Sequence, residues 1–126
     1  SLDFEIKSVT LNEVLKNSDF ISLNTGLTDE YLIDSKELDQ MKEGVFIANT
    51  ARGGVINEVA LLDAIESGKV YGAALDVFEK EPKPEVLILM NPALSLSPHV
   101  GGNTVDAQNR IGEELATQII KLKDQI

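Results

Sequence analysis

The chain has 126 residues, a net charge of −10, 43% hydrophobic residues and no cysteine. This length fits one domain, and the composition supplies enough apolar side chains for a core. The lack of cysteine excludes a disulfide framework and a thiolate metal site, and the negative charge argues against a nucleic-acid partner because phosphates would be repelled. No apolar run reaches the roughly 18 residues that cross a bilayer, and no signal peptide opens the sequence, so we expect no membrane partner and a cytoplasmic protein.

The chain begins with a predicted helix followed by a strand. Residues 10–18 open with Thr10 and carry Glu13 three residues later, which is the spacing of a capping box and predicts a helix start. Residues 19–24 are mostly apolar without alternation, a pattern typical of a parallel strand that is covered on both faces. We therefore expect a helix that leads directly into a buried strand.

A second helix, a second strand and a third helix follow. Residues 34–42 open on Asp34 with a glutamate three residues later, again a capping box. Residues 44–50 are another short apolar stretch that predicts a strand. The helix predicted over 57–68 starts near an asparagine and ends at Gly68, a residue type that favours the position just after a helix.

The last part of the chain contains two predicted strands, a charged loop and a long helix. Residues 70–77 and 93–98 predict strands, and the two prolines and alternating charges of 79–85 indicate a surface loop between them. A final helix is predicted over about 104–123. Its apolar stripe consists of Val105, Ile111, Leu115, Ile119 and Leu122. The alternation of strand and helix predicts an α/β fold, a parallel sheet with flanking helices.

Ionisable side chains stand at or just after the ends of three predicted strands. Arg52 follows the second strand, Asp76 stands at the end of the third, and Glu81 comes five residues later. His99, the only histidine in the chain, follows the fourth. Each residue alone has an ordinary explanation as a surface charge, a turn cap or a loop residue. Their joint placement at strand ends predicts a site, because ligands of open parallel sheets bind beyond the carboxyl ends of the strands.

These side-chain types fit one reaction. An imidazole transfers protons near neutral pH, and a carboxylate beside it favours the imidazolium and orients the ring. An arginine binds a substrate carboxylate in a bidentate fork, and the glycines after Arg52 and His99 allow a flat cofactor ring to approach the backbone. The set predicts a small anionic substrate whose hydroxyl proton passes to His99 while a hydride leaves the same carbon.

Three motifs carry a resemblance to a known family. "NTARGG", "GAALDVFEKEP" and "PHVGGNT" occur in the order and spacing of the D-isomer-specific 2-hydroxyacid dehydrogenases, and the chain resembles that family over nearly its whole length. The resemblance implies a Rossmann-type NAD-binding domain, NAD as cofactor and a small anionic 2-hydroxy or 2-keto acid as substrate. It also implies an active site in the cleft between that domain and a separate substrate domain.

The resemblance also implies roles for individual residues. Arg52 matches the arginine that binds the substrate carboxylate and carbonyl, His99 matches the acid/base, and Glu81 matches its carboxylate partner. Asp76 matches the aspartate near the nicotinamide carboxamide. The full set of positions implied to line the cofactor is Thr50, Ala51, Arg52, Asp76, His99, Gly101 and Gly102. The resemblance implies no metal ligand.

The sequence departs from the family pattern in two places. Asn24 and Gly26 stand where the family has a histidine and a proline, which alters the local cofactor contacts. No G-x-G-x-x-G fingerprint occurs. We therefore expect residues 1–126 to be the C-terminal portion of an NAD-binding domain, a partial Rossmann-type domain cut from a longer protein. Its first residues would be the tail of the preceding half.

A partial sheet should associate. We expect strand 19–24 to expose Phe20, Ile21 and Leu23, which would favour a homo-oligomer. The 126-residue chain alone is expected to be inactive. Three questions stay open at this point. They are which 2-hydroxy acid is the substrate, whether the cofactor is NAD or NADP, and whether the chain is a folded fragment without catalysis.

Overall fold

The computed structural model describes residues 6–26 and 29–123. Residues 1–5, where the tail of a preceding half was expected, lie outside the described residues, as do 27–28 and 124–126. The elements in chain order are α1 Leu11–Asn17, β1 Phe20–Leu23, α2 Ser35–Gln40, β2 Val45–Asn49, α3 Glu58–Glu66, β3 Val70–Leu75, α4 Val86–Leu89, β4 Leu94–Leu96 and α5 Val105–Lys123.

The four strands form one parallel sheet in sequence order, β1-β2-β3-β4. Leu23 pairs with Asn49, Asn49 with Leu75, and Leu75 with Leu96. Because these residues are the last of their strands, the chain leaves all four strands at the same edge. The predicted α/β fold with a parallel sheet and flanking helices is confirmed.

The predicted helix ends are confirmed by their caps. Thr10 and Glu13 form the reciprocal hydrogen bonds of a capping box at the start of α1, and Asp34 and Glu37 do so at the start of α2. Gly68, just past α3, has a φ of 81°, a left-handed conformation that costs glycine little. These ends are predictable because each depends on residues within four positions of one another.

The core lies between the sheet and the helices α1, α2 and α3. It combines large side chains that are almost fully buried, and each contributes on the order of 1.5–3 kcal/mol through removal from water. Representative members are Leu15, Ile21, Leu38, Ile47, Leu61 and Leu75.

The opposite side of the sheet carries a row of exposed aromatic rings, Phe20, Phe46 and Tyr71, which we term the open sheet face. The Phe20 and Phe46 rings stack with centroids 5.0 Å apart, and the Phe46 and Tyr71 centroids lie 5.1 Å apart.

Phe20 is 75% exposed, whereas Ile21 and Leu23 are buried. The expectation that both faces of the sheet are covered is therefore wrong for the described residues. The expectation that Ile21 and Leu23 are exposed is also wrong. Successive side chains of a strand point to opposite faces, and these two face the helices.

Two differences from the expected elements concern the last third of the chain. The short helix α4 was not predicted, because it occupies four apolar residues directly after the charged loop. Helix α5 covers nearly the predicted range, but none of its residues is buried, and the apolar stripe is exposed. The apolar spacing thus indicates a helix without indicating what it packs against. In the described part of the chain, every helix is too short or too polar to traverse a lipid bilayer.

Candidate active site

The turn after β2 is shaped by a buried asparagine and presents an arginine. Asn49 ends the strand; its Nδ2 donates to the Arg52 carbonyl at 3.1 Å, and its Oδ1 accepts from the Ala51 amide at 3.1 Å. The Arg52 side chain is exposed, and Nη1 donates to the Ala51 carbonyl at 2.7 Å. The backbone of this turn is therefore fixed, while the guanidinium lies at the surface.

A histidine and a glutamate from two different loops form a hydrogen-bonded pair. His99 Nδ1 lies 2.8 Å from Glu81 Oε2, and Glu81 Oε1 accepts from the Phe78 amide at 2.9 Å. The hydrogen bond with His99, followed by that from the Phe78 amide, lowers the pKa of Glu81. Because Glu81 engages Nδ1, Nε2 is the ring nitrogen that remains for proton exchange with a substrate.

The turn that carries His99 is organised by a buried aspartate. Asp76 is 5% exposed and accepts hydrogen bonds from the Ser97 hydroxyl at 2.6 Å, the Val100 amide at 3.0 Å and the Gly101 amide at 2.8 Å. The Ser97 hydroxyl is the main cause of a lowered pKa at Asp76. These three donors bracket His99, whose φ of 53° lies in the left-handed region. Such a conformation is uncommon outside glycine, and residues held in it cluster at active sites and ligand-binding regions.

Most of the chain matches a known protein family. A model of the family "D-isomer specific 2-hydroxyacid dehydrogenase, NAD binding domain" matches residues 2–101. The chain belongs to this family. The expected membership is confirmed, and the fold is that of the dehydrogenase's NAD-binding domain.

Individual relatives of this dehydrogenase domain are longer than the chain. It is 44% identical over 124 residues to a hydroxypyruvate reductase of Thermotoga maritima, covering 94% of this chain and 40% of that protein. It is 39% identical over 118 residues to a D-3-phosphoglycerate dehydrogenase of Bacillus subtilis, covering 92% of this chain and 22% of that protein. A crystal structure of a glyoxylate reductase from Paecilomyes thermophila superposes with a TM-score of 0.78 at 46% identity, covering 82% of this chain and 32% of that one. The chain thus spans less than half the length of these relatives.

The hydrogen bonds of Asp76 are compatible with the NAD that domains of this family bind, because they leave one oxygen with capacity to accept. Among the described residues, Asp76 Oδ2 accepts one hydrogen bond, from Gly101. A carboxylate oxygen has two lone pairs, so this atom can accept from a second donor such as the amide of nicotinamide. No group of three or more His, Cys, Asp and Glu side chains within residues 6–26 and 29–123 is arranged to hold a metal ion.

Five of the residues expected to form the site line two hollows, whereas Asp76, Gly101 and Gly102 line neither of them. One, of about 490 Å³, is lined by Asn24, Thr25, Gly26, Thr50, Ala51 and Arg52. The other, of about 450 Å³, contains Glu81 and His99 among mostly apolar residues. The Gly101 amide donates a hydrogen bond to Asp76, and Gly102 is exposed in the same turn. The structure therefore brings Glu81 and His99 into contact and places Arg52 in the other hollow, at the same edge of the sheet.

Three residues that shape the candidate site were missed by the sequence reasoning. Asn49 and Ser97 orient the turns that carry Arg52 and His99, and Glu58 contacts the loop that carries Glu81. A polar residue at the end of an apolar strand is the signal that could have found Asn49. Ser97 and Glu58 act across 20 or more positions, so local patterns do not reveal them. Gly53 is one of the glycines expected to admit a cofactor ring, but the side from which a Cβ would project lies against the backbone of Phe78.

Gly53→Ala is expected to distort the loop that carries Glu81. A Cβ on Gly53 would lie 1.8 Å from the Phe78 carbonyl oxygen and 2.3 Å from its carbon. Backbone atoms cannot rotate away, so the loop must shift, and we expect a loss of about 1–3 kcal/mol in the free energy of unfolding. Denaturant unfolding measures this loss. Gly102→Ala is the matched control, because a Cβ there meets nothing within 4 Å. Equal stability of the two variants would show that the Gly53 contact is relaxed in solution.

Proposed function

We propose that the full-length gene product is an NAD-dependent oxidoreductase that interconverts a D-2-hydroxy acid and the corresponding 2-keto acid. The observation that carries this proposal is the 2.8 Å contact between His99 Nδ1 and Glu81 Oε2 at the edge of the sheet where Arg52 also lies. Membership of the NAD-binding domain family supports it. When bound, the cofactor accepts or returns the hydride.

The proton step is assigned to His99. Its Nε2 would accept the proton of the substrate hydroxyl as the hydride departs, and would return it in the opposite direction. Glu81 stabilises the imidazolium that forms, because a carboxylate in contact with the ring favours its charged state. Nearly half of the His99 side chain is exposed, so the ring is accessible to a substrate.

Substrate binding is assigned to Arg52. Its guanidinium is exposed at the end of β2, and its planar donors match both oxygens of a carboxylate. Its present contact is with the Ala51 carbonyl, a neutral acceptor that a substrate carboxylate would replace. The remaining residues assigned to the cofactor are Thr50, Ala51, Asp76, Gly101 and Gly102.

Within the family, we propose D-3-phosphoglycerate as the substrate, which would place the enzyme in serine biosynthesis. The stretch "GGNTVDAQ" after His99 resembles D-3-phosphoglycerate dehydrogenase most, and such enzymes are among the relatives. The second candidate is a glyoxylate or hydroxypyruvate reductase, favoured by the 44% identity to a hydroxypyruvate reductase. A folded fragment without catalysis is the third.

A substrate panel tests these candidates. The full-length gene product would be assayed by cofactor absorbance with D-3-phosphoglycerate and NAD, and with glyoxylate, hydroxypyruvate and 4-methyl-2-oxopentanoate with NADH or NADPH. We expect the highest kcat/KM for D-3-phosphoglycerate. A preference for glyoxylate or hydroxypyruvate would favour the second candidate. Lack of turnover on the whole panel by a folded protein that binds cofactor would contradict the oxidoreductase proposal.

Glu81→Gln is expected to shift the pH dependence of activity downward. Glu81 Oε2 lies 2.8 Å from His99 Nδ1, and a carboxylate in that position stabilises the positive charge that the ring acquires when it accepts the substrate proton. Glutamine keeps the size of the side chain but removes this negative charge. The kcat/KM profile of the full-length gene product measures the shift. A profile that coincides with that of the unmodified enzyme would contradict the assigned pair.

We infer that residues 1–126 are the C-terminal portion of an NAD-binding domain, and we expect the 126-residue chain alone to bind NADH weakly. A glycine-rich turn at a helix N-terminus normally binds the pyrophosphate, and the chain contains no G-x-G-x-x-G sequence. Its charge of −10 also repels an anionic ligand.

We expect the same chain to self-associate through the open sheet face, because Phe20 and Tyr71 are exposed there. Fluorescence titration with NADH and mass measurement by light scattering test both statements. Micromolar NADH binding by a monomer would contradict them. The variant Phe20→Ser would remove one ring of the face, and we expect it to lower the average mass.

A further inference from the structure

The start of helix α3 and the loop after β3 are joined by two reciprocal hydrogen bonds. The Glu79 amide donates to Glu58 Oε1 at 2.7 Å, and the Glu58 amide donates to Glu79 Oε1 at 2.8 Å. The Tyr31 hydroxyl donates to the second carboxylate oxygen of Glu79 at 3.2 Å. Two residues that are 21 positions apart in sequence are therefore fixed in one relative orientation.

This loop leads directly to the catalytic pair. The amide of Phe78 donates to Glu81 Oε1, and Glu81 Oε2 contacts His99 Nδ1. The next amide along the chain, that of Glu79, donates to Glu58. Two consecutive amides of the loop thus donate hydrogen bonds to two different carboxylates. The bond to Glu58 fixes the orientation of the peptide group that precedes Glu79, two residues before Glu81.

The burial of Glu58 is costly for stability. The residue is 5% exposed, and burial raises the pKa of its carboxyl group, with the negative charges of Glu79, Glu85 and Glu81 adding to the effect. Lys80 interacts electrostatically with Glu58, but its ammonium group pairs with Glu85. A buried carboxylate that shares its nearest cation in this way destabilises the folded state. An acid in the first turn of a helix could favour the helix equally well from an exposed position. The buried position of Glu58 is therefore explained by its hydrogen bond to the Glu79 amide of the loop and not by stabilisation of the helix.

We propose that Glu58 is a positioning residue, which acts through the loop 78–81 to keep Glu81 in contact with His99. The hydrogen bonds described for Glu58 are with Glu79, and none of them is with His99. The role in turnover rests on the oxidoreductase proposed above, whereas the effect on the His99–Glu81 contact does not depend on it.

Three substitutions at position 58 separate positioning from charge. Glu58→Gln removes the charge but keeps an oxygen that can accept from the Glu79 amide. Glu58→Ala removes the acceptor, and Glu58→Asp keeps the charge but withdraws the acceptor by one methylene group. Asp63→Asn, at an exposed position of the same helix, is the control for loss of one negative charge.

NMR titration of the imidazole gives a readout that is independent of activity, because His99 is the only histidine in the chain. We expect Glu58→Ala and Glu58→Asp to move the midpoint of the titration toward that of Glu81→Gln, and Glu58→Gln and Asp63→Asn to leave it near the unmodified value. Should Glu58→Ala fail to fold, Glu58→Asp decides. Unchanged midpoints for the folded alanine and aspartate variants, or an equal shift for glutamine, would overturn the proposal.

Kinetics of the full-length gene product supply the second readout. We expect Glu58→Ala to lower kcat by about 10²-fold, the usual consequence of a misplaced catalytic group, with little change in KM for the cofactor. We expect Glu58→Gln to restore most of the activity. Equal losses for both variants would overturn the positioning role. Absence of turnover in every form of the protein would contradict the proposed oxidoreductase, while the NMR titration would still decide the role of Glu58.

Discussion

Replacing His99 by alanine is expected to lower kcat roughly 10²–10⁴-fold in the full-length gene product, the usual contribution of general acid–base catalysis. His99 is the only imidazole in the sequence, so no neighbouring histidine can assume its role. Its Nδ1 is bonded to Glu81, which fixes the ring and leaves Nε2 for the substrate. Steady-state kinetics with the best substrate of the panel measure the loss.

The variant His99→Asn shows whether a loss arises from the ring or from the backbone. His99 has a left-handed φ of 53°, which asparagine tolerates better than alanine does. If proton transfer is the cause, both variants should lose kcat to a similar extent. Retention of most activity by either variant would show that another group carries the proton.

Arg52→Lys is expected to lower kcat/KM by about 100-fold, which corresponds to roughly one charge-assisted hydrogen bond. Lysine keeps the positive charge but lacks the planar fork that binds both oxygens of a carboxylate. The dissociation constant of NADH should change little, because Arg52 is assigned mainly to the substrate. Kinetics and a fluorescence titration of the same preparation give the two values.

The other arginine of the sequence supplies a matched control. Arg110 lies on the exposed helix α5, so Arg110→Lys should leave both values unchanged. If Arg52→Lys weakens NADH as much as it raises KM for the substrate, Arg52 belongs to the cofactor site alone.

The elements that sequence predicted well depend on nearby residues. The two capping boxes require a side chain to reach only three positions along the chain, and Gly68 satisfies a local left-handed turn. Parallel strands were predictable because their apolar stretches are short and separated by helices. The edge where the strands end follows from parallel pairing, which is why Arg52 and His99 could be assigned to one edge.

The features that sequence missed depend on contacts between distant positions. The exposure of Phe20 and the burial of Ile21 follow from which face the helices cover, and an unbroken apolar stretch does not contain that information. The carboxylate of Asp76 was assigned from the family resemblance, but its bonds to Ser97, Val100 and Gly101 became visible only in the fold. The stripe of α5 predicted a helix correctly and gave no indication of its exposure.

The left-handed backbone of His99 has a consequence for protein engineering. Glycine would adopt this φ without steric cost, so His99→Gly relieves a backbone penalty while it removes the hydrogen bond to Glu81. Where the backbone term is the larger, a selection that rewards only thermal stability would favour glycine at position 99 and discard the proposed proton-transfer group. Under the role proposed for His99, a library built to stabilise the protein should therefore keep position 99 constant.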